Sequence, residues 1–99
     1  MIVCEFSIVP LGAGESLSRY VAECVRIVEE SGLPYQLTPM GTILEGEWDE
    51  VMEVIARCHR AMRARFRRVL TTIRIDDREA PPGRLVAKVR SVEEKLKRT

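Results

Sequence analysis

Tyr35-Gln36-Leu37-Thr38-Pro39-Met40-Gly41-Thr42-Ile43-Leu44-Glu45-Gly46 is the stretch whose reading decides the fold. An extended run from Tyr35 to Met40 meets Gly41 and continues from Thr42 to Gly46, which predicts a tight hairpin between two strands. Upstream, Leu17, Val21, Val25 and Val28 recur at helical spacing. Ser16 is placed to cap that helix, and Gly32 with Pro34 beyond it is placed to stop it. Downstream, Val51, Ile55, Cys58 and Met62 mark the buried stripe of a second helix, with Glu47, Asp49 and Glu50 where its dipole favours negative charge. Glu53 and Arg57 are spaced for an i,i+4 pair on its wet face.

Further outward, residues 2 to 9 alternate, so that Cys4, Phe6 and Ile8 point one way while Glu5 and Ser7 point the other. Pro10, Gly12 and Gly14 break that strand. Val69 to Asp76 predicts a fourth strand, with Val69, Thr71, Ile73 and Ile75 on one side. After Pro81-Pro82-Gly83, Leu85, Val89, Val92 and Leu96 form the seam of a last helix, ending in a basic tail from Lys95 to Thr99. The order is β-α-β-β-α-β plus one helix: a single α+β domain over residues 1–99 with a ferredoxin-like sandwich. Right-handed crossovers place both long helices on one face of a four-stranded antiparallel sheet and leave the other face bare. Apolar area there asks for a second subunit, a ligand or water.

Composition narrows the classes of function. The chain has 99 residues, 45% hydrophobic and 31% charged, the size of one core and well outside the composition of disordered chains. Sixteen basic against fifteen acidic residues give a net charge of +1, which argues against nucleic acid or an anionic membrane as partner. No apolar run approaches the roughly 20 residues of a bilayer span, and Met1 leads into Ile2-Val3-Cys4-Glu5 without a signal-peptide pattern, so a cytoplasmic protein is expected. Cys4, Cys24 and Cys58 contain no C-x-x-C pair, which predicts buried free thiols and no metal or cofactor.

The arginines from Arg57 to Arg68 read as a solvated helix end favoured by the dipole. Phe6 is the only aromatic of the first strand and the fourth has none, which removes the stacking platform of an RNA-recognition module. Adjacent side chains on a helix diverge by about 100°, so Cys58 and His59 do not form a nucleophilic pair. Gly12-Ala13-Gly14 lacks a P-loop lysine and reads as a turn. Arg74 is expected to pair with Glu5 or Asp76 across strands. The hairpin is richer than a turn requires, with two glycines, two threonines and a carboxylate. Two readings stand: polar residues solvating a sheet edge, or, together with Glu5 and Ser7, the floor of a site on the bare face. In the second, carboxylates meet a cation, hydroxyls meet amines, and Met40 covers a flat ring.

The chain resembles the small thiamine-binding proteins related to YkoF. The resemblance runs through Val3-Cys4-Glu5-Phe6-Ser7-Ile8-Val9-Pro10, Gly14-Glu15-Ser16-Leu17-Ser18 and Tyr35 to Thr42. It continues in Glu45-Gly46-Glu47-Trp48-Asp49-Glu50-Val51-Met52, Thr72 to Arg78 and Val89 to Glu93, with Met-Gly-Thr-x-x-Glu-Gly as its most specific part. It implies a non-enzymatic domain that binds thiamine or its hydroxymethylpyrimidine portion and assembles as a dimer of dimers. Glu5, Ser7, Thr38, Met40, Thr42 and Glu45 are the pocket residues it suggests. The alternative is a homo-oligomeric assembly module without a ligand. An enzyme is not expected: acylphosphatases of this topology use an asparagine, and the chain has none.

Overall fold

The alternating first strand pairs along its whole length with the last one, and this ribbon is the spine of the fold. In a computed structural model, which describes residues 1–14, 17–79 and 81–97, β1 (Ile2–Pro10) and β4 (Val69–Asp77) run antiparallel from Ile2 opposite Asp77 to Pro10 opposite Val69. β3 (Gly41–Gly46) flanks β1 on the other side and β2 (Tyr35–Thr38) forms the outer edge, giving the order β2-β3-β1-β4. Helices α1 (Ser18–Ser31) and α2 (Trp48–Arg63) cover one face, and α3 (Arg84–Lys97) follows β4. The architecture is the expected α+β, ferredoxin-like one.

Alternation decides what is buried. Ile2, Cys4 and Phe6 of β1 and Leu44 of β3 meet Cys24 and Val28 of α1 and Val51, Ile55, Cys58 and Met62 of α2 in one core. The stripe read for α2 is the buried one. That of α1 is turned: Cys24 and Val28 are buried, whereas Val21 is 39% exposed. The reason is tertiary, since Tyr20 packs edge-on against Phe66 with ring centroids 5.0 Å apart, and Cys24 faces Cys58. Gly32 ends α1 in the left-handed conformation at φ 75°, as its sequence position suggested. Ser16, the expected cap, lies outside the described residues. Arg57 reaches Glu30 of α1 at 3.4 Å, so the ion pair it forms bridges helices instead of joining Glu53 along α2.

Candidate functional site

The register sorts the six expected pocket residues onto different surfaces. Directly opposed residues share a face, and the pairs are Glu5 with Ile43, Phe6 with Thr42 and Val3 with Glu45. Glu5, Ser7 and Glu45 therefore belong to the face away from α1 and α2, whereas Thr42 lies on the helix-covered face beside Phe6. The expected recess, acidic and hydroxyl-bearing on the bare face, is not assembled, because one step of register sends Thr42 through the sheet. Glu5 instead faces Arg74 at 3.9 Å, the cross-strand pairing anticipated for that arginine. Leu44, not Ile43, points into the core.

Glu45 is only 3% exposed. Its Oε1 accepts hydrogen bonds from the backbone N–H of Gly83 at 2.6 Å and of Arg84 at 3.0 Å. A carboxylate on β3 thus satisfies the free amides at the start of α3 and meets its positive dipole end. This places the start of α3 over the otherwise open face. Lys88 of α3 pairs there with Asp76 of β4, and this contact draws the Asp76 carboxyl below the usual carboxylate range.

Four of the six residues share one hollow. Ser7, Thr38, Met40 and Thr42 line a cavity of about 190 Å³ between the hairpin, the second half of β1 and the start of α1, with Leu17, Val21, Cys24 and Leu37 as apolar wall. The hollow exists because the strands differ in length. β3 pairs with β1 only from Ile2 to Phe6, while β4 accompanies β1 to Pro10. Leu11 donates its N–H to Arg68 O at 2.9 Å on the β4 side. Backbone groups of odd-numbered β1 residues therefore face β4 and those of even-numbered ones face β3. Past Gly41, the N–H and C=O of Ile8 point into the space that β3 has vacated.

The two threonines differ in role. Thr38 Oγ1 donates to Gly41 O at 2.8 Å and accepts from the N–H groups of Met40 and Gly41 at 3.3 and 3.2 Å, which closes the turn. The Thr42 hydroxyl, on a residue 6% exposed, has no hydrogen-bond partner among the described residues. Met40, 82% exposed, stands at the rim. Gly41 permits the close approach of hairpin to β1: a Cβ there would lie 2.8 Å from Phe6 O. No carboxylate is among the described residues of the cavity wall. Sequence reading missed Cys24 and the Ile8 backbone beyond the end of the β1–β3 pairing. The available signal was the mismatch between a long first strand and a short third one.

A second, larger hollow of about 650 Å³ lies where Val86 and Val89 of α3 face Leu33, Tyr35 and Gly46. Its walls are mainly aliphatic. Val89, Val92 and Leu96, read as the seam of the last helix, are 49%, 58% and 68% exposed.

Fold and register define a class, small ferredoxin-like proteins with a notched sheet and an appended helix. The chain belongs to the family described as thiamine-binding protein, which it matches over residues 4–93. It is 41% identical over 98 residues to a UPF0045 protein of Mycobacterium bovis, covering 98% of this chain and 96% of the relative. A UPF0045 protein of Methanothermobacter thermautotrophicus is 42% identical over 99 residues, 97% and 100% of the two chains. Among solved structures, hypothetical protein MJ1052 of Methanocaldococcus jannaschii superposes with a TM-score of 0.86 at 31% identity, over 94% of this chain and 96% of that one. A Thermotoga maritima protein provisionally assigned to thiamine biosynthesis or salvage shares the fold, with a TM-score of 0.75 at 20% identity over 89% and 97% of the chains. No helix among the described residues is long and apolar enough to cross a membrane.

Proposed function

We propose that this protein is a non-enzymatic, cytoplasmic binder of thiamine-like molecules, and that the hollow at the sheet notch takes the aminopyrimidine half. The observation that carries this reading is the hollow itself, where the Thr42 hydroxyl, without a partner among the described residues, and the Ile8 amide and carbonyl, beyond the end of the β1–β3 pairing, face one space. A ring bearing an amine, a hydroxymethyl group and ring nitrogens presents the donors and acceptors such groups need. At about 190 Å³ the cavity is below the roughly 300 Å³ at which drug-sized sites begin, which favours one substituted ring over two. A wall with no carboxylate among its described residues suits the neutral pyrimidine better than the thiazolium cation. The family description supports the same ligand class. Ser7, Thr38, Met40 and Thr42 form the proposed site. Glu5 and Glu45 act outside it, through the Arg74 pair and the α3 cap.

Titration calorimetry with thiamine and separately with hydroxymethylpyrimidine tests the proposal. Thr42→Val keeps the shape and removes the hydroxyl. Its expected cost of about 1.4 kcal/mol weakens binding about tenfold, while Glu5→Gln leaves it unchanged. Absence of heat with both ligands at millimolar concentration rejects the ligand class. Loss of binding in Glu5→Gln but not in Thr42→Val moves the site to the open face.

The exposed Val89, Val92 and Leu96 stripe favours a homo-oligomer, as a dimer of dimers, alongside ligand binding or, in the second reading, as the protein's whole role. Light scattering separates these from a monomer.

A further inference from the structure

Two cysteines lie together at and behind the hollow, independently of what the hollow binds. Cys24 of α1 is 8% exposed and forms part of the cavity wall. Directly behind it is the fully buried Cys58 of α2, whose Sγ donates to Cys24 O at 3.5 Å. Two thiols from different helices are thus packed side by side, one at the edge of a cavity and one sealed by the core. Cys4, the third cysteine, is buried and does not line that cavity.

We propose that Cys24 and Cys58 form a redox pair, in which a peroxide entering the hollow oxidises Cys24 and Cys58 then closes a disulfide tying α1 to α2. In the first step Cys24 sulfur attacks one peroxide oxygen, the O–O bond breaks, and the products are Cys24 sulfenic acid and water. In the second, Cys58 sulfur attacks Cys24 sulfur, the S–S bond forms, the S–O bond breaks, and the hydroxyl leaves as water with the Cys58 proton. Two thiols lose two electrons and two protons to one peroxide, giving a disulfide and two waters.

The local chemistry supports the order of events. Side-chain hydrogen bonding between the two thiols holds the Cys24 thiol below its ordinary range despite burial, which raises the reactive thiolate fraction at the accessible partner. The Cys58 thiol is pushed far upward, first by that same hydrogen bond and then by burial. Oxidation of Cys24 removes the first cause, so the restraint on Cys58 is lifted when it is needed as the resolving thiol. Burial with Glu5 nearby pushes the Cys4 thiol up to about 11, which keeps it protonated and inert.

Peptide mapping of the intact protein decides the matter, because trypsin separates the three cysteines into residues 1–19, 20–26 and 58–60. The folded chain is treated with hydrogen peroxide, free thiols are blocked, and the digest is run without reductant. The expected result is loss of the mass of two hydrogens per chain, a covalent link between peptides 20–26 and 58–60, and an unmodified 1–19 peptide. With Cys58→Ser, Cys24 stops as a sulfenic acid that dimedone traps. An unlinked wild-type digest, a link between separate chains, or oxidation of Cys4 ahead of Cys24 overturns the proposal. The wild-type map is decisive by itself should the serine variant fail to fold.

Discussion

Gly41 shows how one missing side chain shapes the site. Its backbone passes so near Phe6 that a methyl group there would stand 2.8 Å from a carbonyl oxygen held in the sheet, and backbone cannot swing aside as a flexible side chain can. Gly41→Ala should therefore push the hairpin away from β1 and destabilise the protein by about 1 to 3 kcal/mol. In a domain of this size that is a fall in melting temperature of roughly 4 to 8 °C per kcal/mol, measurable by thermal unfolding. Ligand affinity should fall with it, since Thr42 and Thr38 ride on the displaced hairpin. At this scale the sequence was half legible. The hairpin and its glycine could be read from composition and spacing, and so could the pairing of Arg74 with Glu5. That Thr42 faces the helices could not, because an ambiguity of one residue in register exchanges the two faces of a strand.

At the scale of elements, α2 and α3 make an instructive pair. Both have apolar residues at helical spacing, yet Val51, Ile55, Cys58 and Met62 are buried while Val89, Val92 and Leu96 are largely exposed. Periodicity reports that a helix has an apolar side, not what covers it. For α2 the cover is the sheet. For α3 only the first two turns are held, by the Glu45 carboxylate and by the pairing of Lys88 with Asp76. On the homo-oligomer reading, the remaining stripe is where copies meet, so Val89→Glu together with Val92→Glu should shift the protein to monomer in light scattering. Circular dichroism should stay native, because neither residue touches the core. A double variant with the oligomer mass of the wild type places the contact elsewhere.

The whole molecule has a core of two helices on four strands and a helix attached by a few polar contacts, so its parts should not loosen together. Asp76 contributes through Lys88 with its carboxyl held below the ordinary value. A group with a lowered folded value stabilises above its unfolded value, near pH 4, and loses that effect as acid takes the solution through its folded value. Both side chains are nearly half exposed, so added salt weakens the contact too. Hydrogen exchange should show residues 84–97 losing protection as the pH falls below about 4, while α1 and α2 remain protected. Equal loss in all three helices would mean that the appended helix and the core form one cooperative unit.

By itself the sequence determined the order of elements, their types and the burial of its three cysteines, because alternation, helical spacing and turn residues are local properties carried by each segment. Only the tertiary structure decided that β3 stops short of β1, that Glu45 caps a helix 38 residues downstream, and that Cys24 meets Cys58 beside a cavity. Those facts depend on strand register and on which helices pack together, and both are set by contacts between segments far apart in the chain.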